Sequence, residues 1–415
     1  MTSPQYATKP FSINNRTYHP PNRPVAVLCL DGSADEYLTE SLARGRMPNT
    51  AAFLDRGYRG FVRGALPSFT NVNNCAIVTG LPPSQTGICG NYFVDPDTGE
   101  EVMMNSPSYL RADTLLAEAA KAGRKVAMVT AKDKLRALLS KGMKGIAFSA
   151  EKANEVTEEV NGIADVESFM GPAPAIYSAE ASLYVLRAGV ELLAAGKADF
   201  LYLSLTDYMQ HKYAPESAES LAFYEKIDHE IGRLIELGAV VGATADHGMN
   251  AKTHQDGSPN VLYIESMLNE AFNASFRVIC PITDPYVVHH GALGSAVTIY
   301  VPDEIDQNEV ARWLLKHEGV TEVYDREMAA IKLELPADRI GDLFVLSARN
   351  VVLGRTPAHH DLGKLEGTLR SHGGRYEEMV PILISEPLND AYMMRASGDP
   401  RNFDIFEFTC NGIHP

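Results

Sequence analysis

At 415 residues the chain is long enough to bury a large core, as one big domain with an insertion or as two domains. Hydrophobic content of 45% and charged content of 22% are those of an ordinary globular protein. A formal net charge of −16 excludes a general surface for nucleic acid or anionic membrane, so any anionic ligand must be met by a few local cations.

Residues 1–24 are polar and proline-rich, and are expected to lie on the surface as an extended arm. They lack the apolar core of roughly 7–15 residues that a secretory signal needs. No stretch approaches the ~20 apolar residues of a membrane span. Cys29, Cys75, Cys89, Cys280 and Cys410 are scattered, odd in number and without a CxxC pair. Such usage fits free thiols in a reducing compartment, and the expected location is the cytoplasm.

From Pro24 onward, apolar runs alternate with amphipathic segments. VAVLCL is followed by EYLTESLARG, TLLAEAAKAG leads into KVAMVTA, SLYVLRAGVELLAAG into FLYLSLT, and FYEKIDHEIGRLIELG into AVVGATA. Continuous apolar runs between segments of period 3.6 predict parallel strands covered on both faces, in a doubly wound, mostly parallel α/β sheet. The rhythm changes after about Asn260, where SAVTIYVPDEI, NEVARWLLKHEG, VTEVYDREMAA, IKLELP and DLFVLSA predict a small α+β unit with antiparallel strands. The expected division is an arm at 1–24, an α/β core at 25–262 and 371–415, and an inserted cap at 263–370.

Six residues with metal-ligating side chains stand out. Asp31 follows VAVLCL, Asp207 and His211 follow FLYLSLT, and Asp246 and His247 follow AVVGATA; His372 comes late, in RSHGG. The first five sit where parallel strands deliver them to the carboxyl edge of a sheet, which is where open α/β sheets bind ligands. Mixed carboxylates and imidazoles in this number suit two transition-metal ions. Asp207 and His211, four apart, share one face if a helical turn starts there; otherwise Asp207 is a plain N-cap. A hydroxyl nucleophile is offered by Ser68 or Thr70 in LPSFTNVNNCAIVTG, where Thr70 could equally be a simple helix cap.

In order, LDG, SFTN, TGICGNYFVD, TDYMQHKY, ADHGM and SHGG resemble the motifs of the alkaline phosphatase superfamily, spanning Asp31 to His372. Within it, the chain resembles the nucleotide pyrophosphatase/phosphodiesterase-like branch, and there the enzymes that hydrolyse phosphonoacetate. The resemblance implies that Asp207, His211 and His372 hold one zinc and Asp31, Asp246 and His247 the other, with other divalent transition metals as alternatives. It implies Thr70 as the nucleophile in contact with the metals, and Asn91 as a donor to a phosphoryl oxygen. Ser68 is the weaker nucleophile candidate.

Lys132 and Lys134, in AKDK after KVAMVTA, lie on the same sheet edge. In extended chain they would point the same way, toward one carboxylate; the alternative is two solvated lysines opening a helix. The resemblance implies that they grip the carboxylate of phosphonoacetate. The implied reaction is hydrolysis of the C–P bond to acetate and phosphate through a phosphothreonine. The implied partner is a small phosphonate, with no nucleic acid or membrane, and a homodimer is a family-level expectation. A phosphodiesterase or nucleotide pyrophosphatase using the same metals is the alternative, a phosphomutase is a weaker one, and a non-catalytic metal- or phosphonate-binding protein has no need of the hydroxyl. His289, His290, His359, His360 and Asp361 resemble metal ligands but are read as surface or cap–core contacts, His229 as solvated, and His254 as a loop residue near the site.

Overall fold

The apolar runs become the strands of one seven-stranded sheet, because Val, Leu and aromatic side chains fit a pleat covered on both faces. The computed structural model describes residues 6–284, 290–365 and 367–414. Across the sheet the order is Tyr58–Arg63, Met379–Ile384, Val240–Thr244, Val25–Cys29, Phe200–Ser204, Val126–Thr130 and Ile146–Ser149. The last five are mutually parallel, and Met379–Ile384 runs antiparallel to both of its neighbours. The mostly parallel doubly wound sheet expected from the alternating runs is therefore the one found.

Alternation along the central strands divides the core. Ala26, Leu28, Leu201 and Leu203 pack with Leu186 and Ile227, from the helices Ala179–Ala194 and Ala218–Glu236. Val27, Phe200 and Tyr202 face the other way, with Val72 of the helix Thr70–Thr79 and Phe406 of Ile405–Asn411. Each such large side chain contributes roughly 1.5–3 kcal/mol on burial. A second, four-stranded antiparallel sheet is ordered Arg277–Ile279, Ala296–Tyr300, Leu343–Ser347 and Val320–Asp325. Its Val297, Ile299 and Val345 belong to the same continuous apolar cluster as Phe69 and Val72.

The N-terminal segment differs from an extended arm. Phe11–Ile13 and Arg16–Tyr18 form an antiparallel hairpin, turned by Asn14 and Asn15 at φ 53° and 60°. Asparagine tolerates that left-handed backbone, and the turn matches the twist of a two-residue hairpin. Phe11 and Tyr18 are buried and stack at 5.2 Å. Three-residue strands are too short to show a period in sequence.

Candidate metal centre

The chain leaves the strands Val25–Cys29, Phe200–Ser204 and Val240–Thr244 at the same edge, carrying Asp31, Asp207, and Asp246 with His247. Gly32, at φ +70°, makes this convergence feasible: a Cβ there would stand 2.8 Å from Asp207 Cβ. Asp207 precedes the short helix Tyr208–Lys212 yet makes no side-chain cap bond, so the simple N-cap reading fails. One turn on, His211 Nε2 lies 2.9 Å from Asp207 Oδ2. His372 comes from a segment distant in sequence, just after Arg370–Ser371, which pairs with Asn250–Ala251.

Five of the six residues fall into two triads, Asp31–Asp246–His247 and Asp207–His247–His372, with ligand atoms within 4.8 Å of one another in each. His211 joins through Asp207. The three imidazoles are oriented alike, each with Nδ1 on a backbone carbonyl: His211 on Arg370 at 2.7 Å, His247 on Gly248 at 2.9 Å and His372 on Ser68 at 2.7 Å. This fixes the tautomer and turns Nε2 inward, the usual support of a metal-ligating histidine. His247 and His372 stack face to face, 3.5 Å between centroids.

The donor set fits cations on electrostatic grounds. Asp31, Asp207 and Asp246 are all buried, and neither oxygen of Asp31 has a hydrogen-bond donor. Burial, and then the charges of Asp207 and Asp246, push the Asp31 carboxyl well above its usual range. Burial alone would disfavour the His247 imidazolium, but Asp246 and Asp31 override it and push its pKa up to about 10. At His247 the carboxylates therefore favour positive charge, whereas burial and then the charge of His247 push His372 well below its usual range. Asp207 goes the other way: against its burial, His211 and Lys132 hold it well below the carboxylate range.

Thr70 opens the helix Thr70–Thr79, all of whose residues are buried. Phe69 occupies the cap position and no side chain caps the helix, which removes the capping alternative for Thr70. Thr70 Oγ1 lies 3.4 Å from His247 Nε2, at the positive end of the helix. Ser68 instead donates its hydroxyl to the Gly374 carbonyl at 2.9 Å. Asn91 Oδ1 accepts from the N–H of Asn71, the residue after Thr70, at 3.1 Å, which leaves its NH2 as the donating end. One turn along the helix, Asn74 donates to the Thr70 carbonyl at 3.0 Å and to Asp246 Oδ2 at 3.2 Å, tying the helix to a candidate ligand.

Both lysines reach this edge, though from a helix start and not from extended chain. Lys132 is the N-cap of Asp133–Leu139 and Lys134 lies in its first turn. Lys132 Nζ is 3.6 Å from Asp207 Oδ1, and Lys134 Nζ pairs with the buried Asp284. Burial would lower the Lys132 pKa, but Asp207 and Asp31 raise it; burial and then Lys132 lower that of Lys134. Asp284 was not legible as a site residue, since it lies 150 positions from its partner.

The histidines set aside in sequence are divided by the structure. His290 is buried and stacks on His211 at 4.9 Å, so it touches the centre. His360 is structural, accepting from the Arg355 N–H at 2.8 Å while its Nδ1 meets the Gly291 carbonyl at 2.7 Å. His359 contacts Thr356 Oγ1 at 2.7 Å; His229 and His254 are exposed. His289 lies outside the described residues.

Residues 25–375 match the type I phosphodiesterase / nucleotide pyrophosphatase family. The chain belongs to that family. Crystal structures of phosphonoacetate hydrolase from Sinorhizobium meliloti 1021, with phosphonoformate or phosphonoacetate, are 44% identical with TM-score 0.93, over 98% of this chain and 100% of that one. Murine ectonucleotide pyrophosphatase / phosphodiesterase 5, in complex with AMP, shares the fold at TM-score 0.63 and 16% identity, over 94% of this chain and 95% of that one. An uncharacterised pyrophosphatase/phosphodiesterase of Schizosaccharomyces pombe is 38% identical over 84 residues, 20% of this chain. The match spans only 16% of that relative's length. No helix among the described residues is long and apolar enough to cross a membrane.

Proposed function

We propose that this family member is a hydrolase that cleaves the C–P bond of phosphonoacetate, giving acetate and phosphate. The observation that carries the reading is the pair Lys132 and Lys134 converging beside a buried carboxylate–imidazole centre, in a chain 44% identical to phosphonoacetate hydrolase over nearly its full length. In this proposal Asp31, Asp246 and His247 hold one divalent ion, and Asp207, His211 and His372 the other, with zinc as the metal. When bound, the two ions supply Lewis-acid charge that favours the Thr70 alkoxide and neutralises the phosphonate oxygens.

Thr70 Oγ attacks phosphorus, forming the O–P bond as the P–C bond breaks. Asn91 donates its NH2 to a phosphoryl oxygen. The electron pair moves onto the CH2–COO⁻ fragment, whose carboxylate spreads the charge as an enediolate-like species before water protonates it to acetate. Lys132 and Lys134 bind that carboxylate and stabilise it more as charge builds, which is what raises kcat. Water then cleaves the phosphothreonine and regenerates Thr70.

The division into arm 1–24, core 25–262 with 371–415, and cap 263–370 belongs to the same proposal, with Asp284 and His290 as the cap's contributions to the site. A cytoplasmic location is supported by five buried free thiols. A phosphodiesterase reading is less well supported, because a diester has no carboxylate for two lysines. The test is a side-by-side measurement of kcat/KM on phosphonoacetate and on a nitrophenyl phosphodiester. Preference for phosphonoacetate supports the proposal, and efficient turnover of the diester alone refutes it.

A further inference from the structure

Lysine is almost never fully buried, yet Lys252 has 0% exposure. Its Nζ lies 2.9 Å from Glu377 Oε1 and donates to the Arg349 carbonyl at 2.7 Å. Glu377, also fully buried, is engaged on every side. Its Oε1 accepts from Asn250 Nδ2 at 2.6 Å, its Oε2 from the Gly374 N–H at 3.0 Å, and its backbone carbonyl from the Gly248 N–H at 2.8 Å.

These contacts join two segments far apart in sequence, each carrying candidate ligands. One runs from Asp246 and His247 to Lys252; the other runs from 369 to Glu377 and contains His372. A short ladder of Asn250–Ala251 against Arg370–Ser371, with Lys252 N–H on the Leu369 carbonyl at 2.8 Å, completes the seam. His372 is followed by Gly373 and Gly374. Gly373 sits at φ +114°, where a Cβ would fall 2.3 Å from the Phe69 ring, so the position requires glycine. Two successive glycines give the loop little stiffness of its own. Contacts from Ser68 and the Ser295 N–H hold His372 and Gly374 on one side, and Glu377 fixes the far end of the loop through the Gly374 N–H.

A buried ion pair is poor evidence for stability, because desolvation offsets the attraction between the charges. A fully satisfied one does define a single geometry. We propose that Lys252–Glu377 is a positioning pair for the metal centre, holding His372 at its set distance from Asp246 and His247. The proposal rests on the metal-dependent reading above. Neither residue touches substrate or takes part in bond breaking.

Single removal of Lys252 would strand a buried carboxylate and endanger folding. The informative variant is therefore Lys252→Met with Glu377→Gln, which removes both charges and keeps an acceptor for the Gly374 N–H. It is expected to hold a melting temperature near wild type while binding zinc about ten- to a hundredfold more weakly in chelator competition. Its kcat should fall at limiting zinc and recover at saturating zinc, with KM for phosphonoacetate unchanged. Lys252→Arg, which keeps the charge but alters the geometry, should fold and show a smaller zinc deficit, and decides the matter if the double variant folds poorly. Wild-type zinc affinity in the folded variants overturns the proposal, as does a zinc deficit seen only where the fold is lost. Absence of zinc binding by the wild-type protein would instead defeat the metal-dependent reading, before any variant is made.

Discussion

Replacement of Lys134 by alanine separates substrate recognition from metal chemistry more cleanly than replacement of Lys132. Lys132 Nζ is 3.6 Å from Asp207, so its loss disturbs a candidate metal ligand and would harm any substrate. Lys134 is paired with Asp284. A charge-assisted hydrogen bond from Lys134 to the substrate carboxylate contributes roughly 1.5–3 kcal/mol. At about 1.4 kcal/mol per decade, its loss should lower kcat/KM for phosphonoacetate by about ten- to a hundredfold. Part of the loss should fall on kcat, since the carboxylate gains charge as the C–P bond breaks. Withdrawing the ammonium from Asp284 also destabilises the fold, by up to about 3–5 kcal/mol if the pair is fully desolvated. Lys134→Ala with Asp284→Asn removes both charges and controls for that effect. The assay is steady-state kinetics on phosphonoacetate and on a phosphodiester without a carboxylate, for both variants. The ratio of the two activities should collapse in each. Equal losses on both substrates would refute a role for Lys134 in carboxylate recognition.

Thr70→Ala should lose at least about a thousandfold in turnover, as nucleophile removal does elsewhere, while elemental analysis still finds both metals; near-normal turnover would transfer the role to another group. Ser68→Ala loses only its bond to the Gly374 carbonyl, so it should remain active and be destabilised by about 1 kcal/mol in denaturant titration. A zinc chelator should abolish activity and lower the melting temperature, and added zinc should restore both. Arg375 binds Glu322 through Nε at 3.0 Å and Nη2 at 2.7 Å, and this hydrogen bonding holds the Glu322 carboxyl below its usual range. That interaction therefore stabilises the fold above the unfolded pKa of about 4.3 and is lost as pH falls through the lower folded value. Discounted for solvent screening, Glu322→Gln should cost about 0.5–1 kcal/mol at neutral pH, with the difference in melting temperature closing in acid.

What was legible in the sequence is what strand ends control. Asp31, Asp207, Asp246 and His247 each follow an apolar run within three residues, so the topology of a parallel sheet brings them together before any side-chain contact is known. His211 follows from helical spacing. His372 needed the family resemblance, because it precedes the one antiparallel strand of the core and has no apolar run before it. Asp284, Lys252 and Glu377 were not legible, and His290 was marked only as a surface or cap–core contact. Each acquires its role from a neighbour more than 70 positions away. The hairpin at Phe11–Tyr18 escaped for a different reason: its strands are shorter than the window in which alternation can be recognised.

Cleavage of a carbon–phosphorus bond with Thr70 as nucleophile is the chemistry proposed for this centre. It is tested most directly by incubating the zinc-loaded protein with phosphonoacetate and following both products by phosphorus and proton NMR. Phosphate and acetate should appear in equal amounts, catalytically, with neither formed by Thr70→Ala. Phosphonoacetate left intact by a wild-type protein that carries its full metal complement would contradict the proposed chemistry.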